Sequence, residues 1–378
     1  MSNKWLRKTL IILLSVIMMV IAGREFLIWL NEKEPIVEGP GVTRVAKLSD
    51  YFADLKGTAL DTNIYILEGE EDGGAVMVTA GVHTNELSGV MTNVILIENA
   101  HVEKGKVILI PFANNSAFTA GHPGEAYPMR YHIKTDWGSR WFRFGDRYTN
   151  PIHQWPDPEV YVHYPSGQSL SGFDIRNLNR TFPGKADGTI TEKVGHAIMQ
   201  VIEKENVDLF IDLHEAEPMY PVINTIVANQ KAMDIAVIAE MNLSAFEGIK
   251  IGKEISPENL HGLTHREVGD HSRALSLLAE TCDPIQDPLR GRTDEALIIT
   301  GKDEFILKAA KLGLLYVPFD ETGSHIDVRT GRHTSTVLEI ISAFSELYPD
   351  KEIIVSDAPR YAEIIEKGVG YFLLKPRG

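Results

Sequence analysis

The sequence has little cysteine and no excess of positive charge. Its single cysteine, Cys282, cannot form a disulfide within the chain, so stability has to come from a buried core. The formal net charge of −15 argues against a nucleic-acid-binding protein, because such proteins carry a basic patch or stripe. Internal repeats, coiled-coil heptads and low-complexity tracts are absent from the sequence as well. What is there, 378 residues of which 44% are hydrophobic, is typical of a globular protein, and we favour one main domain.

Long apolar runs are rare too, and the one that stands out lies near the N-terminus. Leu10–Ala22 contains a single polar residue and follows three basic residues, Lys4, Arg7 and Lys8. This pattern predicts a membrane-targeting segment over residues 1–30, either a signal anchor or a cleavable signal peptide. Phe26–Leu30 continues the apolar character beyond the small residues that resemble a cleavage site, which favours a retained anchor.

The residues on either side of the apolar segment predict where the rest of the chain resides. Residues 31–41 contain proline, glycine and several charges and are expected to form a linker. Basic residues that flank a membrane segment stay on the cytoplasmic side. Residues 42–378 are therefore expected outside the cytoplasm, membrane-anchored if the segment is retained and secreted if it is cleaved.

Polar segments follow three apolar runs at the points where strands are expected to end. The runs and their following segments are Ala75–Ala80 with Gly81–Glu86, Val207–Ile211 with Asp212–Ala216, and Ala274–Ala279 with Glu280–Pro284. Strands that alternate with helices predict an α/β fold with a mixed, largely parallel sheet and helices on both faces. In such sheets ligands gather outside the carboxyl ends of the strands. We therefore expect the three polar segments to meet in one site.

The first two of these segments contain residues suited to zinc. His83 and Glu86 can supply two ligands, and His214 at the second strand end can supply the third, which matches the three protein ligands of a catalytic zinc site. Each residue also has a simpler interpretation. His83 can be a loop residue, Glu86 can complement the dipole of the next helix, and His214 can be a buried structural histidine.

A loop between these segments predicts substrate binding. Asn177–Gly184 contains Arg180, whose guanidinium can hold a carboxylate through two hydrogen bonds, and Asn179, which can add an amide donor. Alternatively, Arg180 can pair with Asp174 or cap a turn before Pro183.

Four pieces, taken in order along the chain, resemble the zinc carboxypeptidase superfamily, and within it the succinylglutamate desuccinylase and aspartoacylase branch. They are Gly81–Glu86, Asn179-Arg180 with Phe182–Gly184, Asp212–His214, and the strand that leads to Glu280. The resemblance implies a zinc carboxypeptidase-like fold and one Zn²⁺ per chain, held by His83, Glu86 and His214. It also implies that Asn179 and Arg180 hold the substrate and that Glu280 is the catalytic carboxylate.

The chain departs from this family at two places. The relatives often carry another substrate arginine several residues before the Asn-Arg pair, and here only Arg176 is near, in a different position. Arg176 is therefore included among the residues expected to bind substrate. The relatives can also have a β-rich C-terminal domain, whereas the segment after Pro288 is predicted to be mainly helical with short strands.

Three further expectations concern local structure. Asn63–Leu67 is predicted to form a strand that pairs with the strand ending at Ala80, and residues 294–312 are predicted to form one helix. Residues 118–172 are rich in aromatic residues, glycine and proline without a steady period, which predicts a long irregular insertion. This insertion is either an ordered flap at the cleft or a packed surface excursion.

Two functions are compatible with these observations. The first is an extracytoplasmic zinc hydrolase that cleaves an amide bond in an acyl amino acid or a peptide carrying a carboxylate, with Glu280 as general base and Arg180 binding the substrate. The second is a membrane-tethered binding protein that retains the fold without catalysis. In the first case, Glu215 and Glu217 compete with Glu280 as candidate carboxylates. No nucleic-acid partner is expected.

Overall fold

A computed structural model describes residues 3–121 and 128–376. Its α-helices are α1 (Asn3–Asn31), α2 (Leu48–Tyr51), α3 (Leu87–Asn99), α4 (Ile190–Lys204), α5 (Met233–Phe246), α6 (Thr264–His271), α7 (Glu295–Thr300), α8 (Glu304–Lys311), α9 (Ile326–Leu347) and α10 (Tyr361–Lys367). Its strands are β1 (Arg44–Lys47), β2 (Asn63–Glu68), β3 (Glu71–Thr79), β4 (His101–Ile110), β5 (Arg130–Thr135), β6 (Gly138–Arg143), β7 (Val160–Val162), β8 (Ser169–Ser171), β9 (Leu209–Ala216), β10 (Thr225–Ala228), β11 (Gly252–Ile255), β12 (Leu275–Cys282) and β13 (Ile354–Ser356).

The chain divides into two units, Met1–Pro35 and Ile36–Gly378. The first unit contains α1. Within the described residues this is the helix whose length and apolar composition allow it to cross a membrane, with a candidate span over Lys4–Asn31. A signal sequence has the same properties, so the helix fits both forms of the predicted targeting segment.

The second unit is built on a nine-stranded sheet. Its order is β1-β2-β4-β3-β9-β12-β10-β11, and β13 pairs with the N-terminal part of β4. The central neighbours β4, β3, β9 and β12 are parallel, whereas β1, β2, β10 and β13 add antiparallel pairs. The predicted mixed sheet is therefore confirmed. The predicted pairing of β2 with β3 is wrong, because β4 lies between them and uses one edge for each.

Side chains of the central strands alternate between two cores, as the strand period requires. In β9, for example, Leu209, Ile211 and Leu213 face the core that contains α3, α5 and α9, whereas Phe210 faces the core that contains α2, α4 and α6. Helices therefore cover both faces of the sheet, as the sequence predicts. Strands buried on both faces explain why the three apolar runs are nearly continuous.

Two local predictions need correction. The predicted helix over residues 294–312 is broken into α7 and α8, because Gly301 turns the chain at φ 60° and the side chain of Asp303 caps the N-terminus of α8. The insertion over residues 118–172 is less irregular than predicted, since it contains two hairpins, β5–β6 and β7–β8. Residues 122–127 of the insertion lie outside the described part of the chain. After Pro288 the described chain is mainly helical, with β13 as its short strand, as predicted.

Candidate metal and active site

The carboxyl ends of three neighbouring parallel strands bring the predicted residues together. His83 and Glu86 follow β3, His214 lies near the end of β9, and Glu280 lies in β12. Glu280 is the register partner of His214, so the two side chains extend from the same face of adjacent strands. The sequence predicts that this strand stops at Ala279, but it continues to Cys282 because its last residues pair with the end of β9.

A tight turn at Gly81 redirects the chain from β3 into this site. Gly81 has φ +67°, and a Cβ there would lie 2.8 Å from the carbonyl oxygen of Pro111 and 3.1 Å from the ring of Phe118. Glycine is therefore required both by the backbone conformation and by the close packing. The turn carries His83 and Glu86 over the end of β9.

His83, Glu86 and His214 form a compact, buried cluster. One potential ligand atom from each residue lies within 4.8 Å of the other two. The Nδ1 atoms of His83 and His214 lie 2.6 and 2.8 Å from the two carboxylate oxygens of Glu86, and the two rings are almost perpendicular, with centroids 4.9 Å apart. Both imidazoles thus direct the same kind of nitrogen towards one carboxylate.

The other nitrogen of each imidazole is held by a fixed partner. Nε2 of His214 lies 2.8 Å from Oδ2 of Asp212, and Nε2 of His83 lies 3.0 Å from Oδ1 of Asn177. Asp212 is itself held by the hydroxyl of Thr79 at 2.7 Å. Such outer partners set the ring orientation and the tautomer of metal-binding histidines.

Burial and the neighbouring charges shift the pKa values of the three residues in the cluster. Burial lowers the pKa of His83 to about 4. Although burial opposes both changes, the carboxylates of Asp212 and Glu86 raise the pKa of His214 well above its usual value, and the two imidazoles lower the pKa of Glu86 well below its own. Glu86 therefore carries a negative charge in the interior, where a cation is strongly favoured.

These residues fit a zinc ion. Two imidazole nitrogens and one carboxylate oxygen converge, and each imidazole has an outer hydrogen-bond partner, as in three-ligand catalytic zinc sites. Within the described residues a second group, His163, His261 and Glu267, meets the same distance criterion.

Glu280 is placed to act on a bound substrate. It lines a cavity of about 280 Å³ together with Asn179, Arg180 and the group His83, Glu86 and His214. That group is called the metal cluster below because it is the candidate site for one metal ion. The Oε2 atom of Glu280 is buried and has no hydrogen-bond partner among the described residues. Burial raises the pKa of Glu280 well above its usual value. A buried carboxyl with a free oxygen in a cavity is a strong candidate for proton transfer.

The two competing carboxylates have different surroundings. Glu215 is held by Nη1 of Arg329 at 3.0 Å and accepts from the backbone N–H of Ser88 at 2.8 Å, so it is part of the protein framework. Glu217 lines the cavity, and burial raises its pKa.

Asn179 and Arg180 reach the same cavity from their loop. Oδ1 of Asn179 accepts hydrogen bonds from the backbone N–H and the hydroxyl of Thr264, at 2.8 and 2.9 Å. Arg180 donates to the carbonyl oxygen of Asn179 at 2.7 Å, and none of the ion pairs found among the described residues includes it. Its guanidinium, largely buried, is therefore available to an anionic group, and the alternative pair with Asp174 is not formed within 4.0 Å.

Arg176 is not brought into the cavity of the metal cluster. Its Nε and Nη2 atoms form a two-pronged ion pair with Asp157 at 2.7 and 2.8 Å, and Nη1 donates to the carbonyl oxygen of Thr149. It lines a second, neighbouring cavity instead. Its predicted role in binding substrate stays a prediction.

The cavity also contains residues that were not predicted from the sequence, among them Arg147 and His265. Arg147, from the insertion, lines it with Nη2 3.5 Å from Oε1 of Glu86 and 2.7 Å from Oε1 of Gln286. His265 also lines it, and both of its ring nitrogens are buried without a hydrogen-bond partner among the described residues. Neither residue lies at a strand end or at a recognisable ligand spacing, so the sequence offered no signal for them.

Helix α9 supports the site from behind. Arg329, fully buried, lies 3.0 Å from Glu215 and 3.3 Å from Asp283, and Nε2 of His333 lies 2.9 Å from the backbone oxygen of His214. The backbone N–H of Glu215 in turn donates to Oε2 of Glu86 at 3.0 Å. The end of β9 is thus fixed by buried ionic and hydrogen-bonded contacts.

Comparison with known proteins finds similarity to one family. Residues 72–252 match the succinylglutamate desuccinylase/aspartoacylase catalytic domain, and this segment contains the metal cluster and the Asn179-Arg180 pair. An N-alpha-acetyl-L-2,4-diaminobutyric acid deacetylase from Halomonas elongata is 26% identical over 181 residues. The resemblance predicted from the sequence is confirmed. The match to the deacetylase covers 47% of this chain, and it spans 38% of the length of the deacetylase.

The chain is also similar to two solved structures. A metallo-carboxypeptidase from Burkholderia cenocepacia has a TM-score of 0.46 and 12% identity, over 82% of this chain and 66% of its own. An aspartoacylase family protein from Mesorhizobium loti has a TM-score of 0.38 and 18% identity, over 65% of this chain and 66% of its own.

Proposed function

We propose that this protein is a zinc-dependent hydrolase that cleaves an amide bond, as an N-acyl amino acid deacylase or a carboxypeptidase-like enzyme. The observation that carries the proposal is the convergence of His83, Glu86 and His214 in a cavity that also contains Glu280 and Arg180. The family match over residues 72–252 supports a hydrolytic role for this arrangement. By its targeting segment, the enzyme acts outside the cytoplasm, at the membrane through α1.

In this proposal the three ligands hold the ion and the remaining residues act on the substrate. A zinc ion held by His83, Glu86 and His214 would supply a Lewis acid that activates water and polarises the amide carbonyl. Glu280 accepts the proton that the attacking water loses and returns it to the departing amine, because it lines the cavity and its Oε2 has no hydrogen-bond partner among the described residues.

The cationic residues orient the substrate and balance its charge. Arg180 binds a substrate carboxylate, since its guanidinium is available and Asn179 is fixed against Thr264 beside it. Arg147 adds a second positive charge to the cavity, close to Glu86. There it balances the negative charge that develops on the carbonyl oxygen of the amide as it is attacked.

The proposed function is tested by measuring how fast the Glu280→Gln variant turns over substrate and how tightly it binds it. With zinc loaded, we expect hydrolysis of N-acyl amino acids or short peptides to fall by about 10²–10⁴-fold, because the proton acceptor is lost. Zinc content and substrate affinity should stay near those of the unaltered protein. The matched control is Glu254→Gln in the exposed strand β11, which should leave turnover unchanged.

The opposite outcome would favour the membrane-tethered binding protein. In that case neither the unaltered protein nor Glu280→Gln would hydrolyse any member of the panel, although both would bind ligand and zinc.

A further inference from the structure

A second cavity adjoins the one that contains the metal cluster. Its volume is about 810 Å³, and it shares two lining residues with the first cavity, Arg147 and Glu217. The first cavity, about 280 Å³, is at the lower end of the roughly 300–1,000 Å³ that small-molecule sites occupy, whereas the second lies well within that range. A substrate confined to the first cavity would leave the larger space unused.

The second cavity is lined mainly by the insertion, and its wall is partly apolar. Phe173 is 47% exposed and packs edge-on against Tyr148, with ring centroids 5.4 Å apart. Ile152 is 66% exposed and lines the same cavity. Exposed apolar side chains in a concave site are suited to an apolar substituent.

The polar part of the lining is suited to a neutral amide. Oδ1 of Asn85 is a buried acceptor with no hydrogen-bond partner among the described residues, and Asn85 lines this cavity directly beside the ligand Glu86. Arg176, in contrast, is neutralised by Asp157 and also packs over the ring of Tyr148. An unpaired buried acceptor favours a ligand that brings an N–H donor.

We propose that this cavity is a substrate subsite and that the substrate is a peptide, or a peptide-like amide of more than one residue. The chain of the substrate passes Arg147 and Glu217, places an apolar side chain against Phe173 and Ile152, and donates a backbone N–H to Asn85. This inference rests on the proposed hydrolase function and selects the peptide alternative over a single acylated amino acid.

Substrate length is the direct test. The zinc-loaded protein would be assayed with N-acetyl-leucine, with the acetylated di- and trileucine peptides, and with the free di- and tripeptides. We expect kcat/KM to rise by about tenfold or more from the single acylated residue to the best peptide, because binding remote from the reacting bond contributes to transition-state stabilisation.

Two variants connect that preference to the cavity. Phe173→Ala and Ile152→Ala should each lower kcat/KM for peptides by about tenfold and leave N-acetyl-leucine unaffected. Ile152 is so exposed that its truncation does not disturb the core, which keeps the test informative if Phe173→Ala folds poorly. The matched control is Phe246→Ala, at the end of α5, where the side chain is 81% exposed and lines neither cavity.

The failure of this inference is distinguishable from the failure of the proposed function. If N-acetyl-leucine is hydrolysed as fast as every peptide, or if both cavity variants keep the native length preference, the subsite is wrong while the hydrolase remains. If no amide is hydrolysed by the zinc-loaded protein, the hydrolase itself is wrong, and the subsite with it.

Discussion

Among the described residues, two clusters combine two histidines and one glutamate whose potential ligand atoms lie within 4.8 Å of one another, and they differ in how their nitrogen atoms are used. In the cluster of His83, Glu86 and His214, both Nδ1 atoms point to the carboxylate, and the Nε2 atoms are tied to outer partners. All three side chains are buried. His83 and His214 thus each direct one in-plane ring nitrogen at the same carboxylate, which is what a metal ion bound by all three residues would require.

In the second cluster, His163, His261 and Glu267, both ring nitrogens of His163 have partners outside the cluster. Nδ1 of His163 lies 2.7 Å from the hydroxyl of Ser166, and its Nε2 lies 2.5 Å from the carbonyl oxygen of Phe182. Glu267 accepts from the backbone N–H of Gly262 at 2.9 Å. The comparison teaches that the orientation of the ring nitrogens, and not proximity alone, distinguishes the stronger candidate metal site from a group that meets the distances only.

Removing one imidazole from each cluster should give the largest contrast. His83→Ala is expected to reduce bound zinc from about one per chain to near zero and to abolish hydrolysis, since a catalytic site needs its three protein ligands. His261→Ala should retain the zinc. Equilibrium dialysis followed by elemental analysis checks both. Equal zinc loss in the two variants would show that the two clusters do not differ in zinc binding.

The frameworks of the two clusters should differ in stability. Arg329→Met leaves Glu215 and Asp283 buried without their cation and should lower the free energy of unfolding by about 3–5 kcal/mol. His271→Gln, which removes the half-exposed ion-pair partner of Glu267, should change it by less than about 1 kcal/mol. Urea denaturation measures both, and a loss of similar size in each would contradict the account.

The outer partner of His214 offers a smaller, more specific effect. Asp212→Asn keeps the size of the side chain but removes the charge that orients and polarises the imidazole. Zinc affinity should fall by about 10–100-fold, as is usual for such partners. Competition with a chromophoric chelator measures the affinity. An unchanged dissociation constant would show that Asp212 is only structural.

The smallest prediction concerns the pH dependence of the second cluster. Burial lowers the pKa of His163, so the unfolded chain binds this proton more readily than the folded one. Stability should therefore be complete above about pH 6.5, the value of an unperturbed histidine, and decline as the pH falls below it. Unfolding of His163→Gln, followed between pH 7 and 5, should show a shallower decline. Parallel profiles for the two proteins would argue against this contribution.

The part of the site that the sequence reveals lies at strand ends. His83, Glu86, His214 and Glu280 follow or end apolar runs, and parallel strands place such residues at one edge of the sheet. The local patterns were sufficient for the sheet type and for most helices. They were not sufficient for the position of β4 between β2 and β3, because strand order depends on contacts distant in sequence.

The part that the sequence does not reveal comes from loops. Arg147 reaches the metal cluster from the insertion, and Arg176, predicted to bind substrate, pairs with Asp157 in the wall of the second cavity. Long-range pairing of charged side chains has no periodic signal. The hairpin β5–β6 does carry a periodic signal, since its buried residues Tyr131, Ile133 and Thr135 alternate with exposed ones, but the pattern is short and lies among many aromatic residues.

The most direct test of the central claim is anomalous X-ray diffraction at the zinc edge from crystals of the zinc-loaded protein. The account predicts one strong peak per chain, about 2.0–2.2 Å from Nδ1 of His83, Nδ1 of His214 and a carboxylate oxygen of Glu86. A peak between His163, His261 and Glu267 alone, or no peak within reach of His83 and His214, would contradict it.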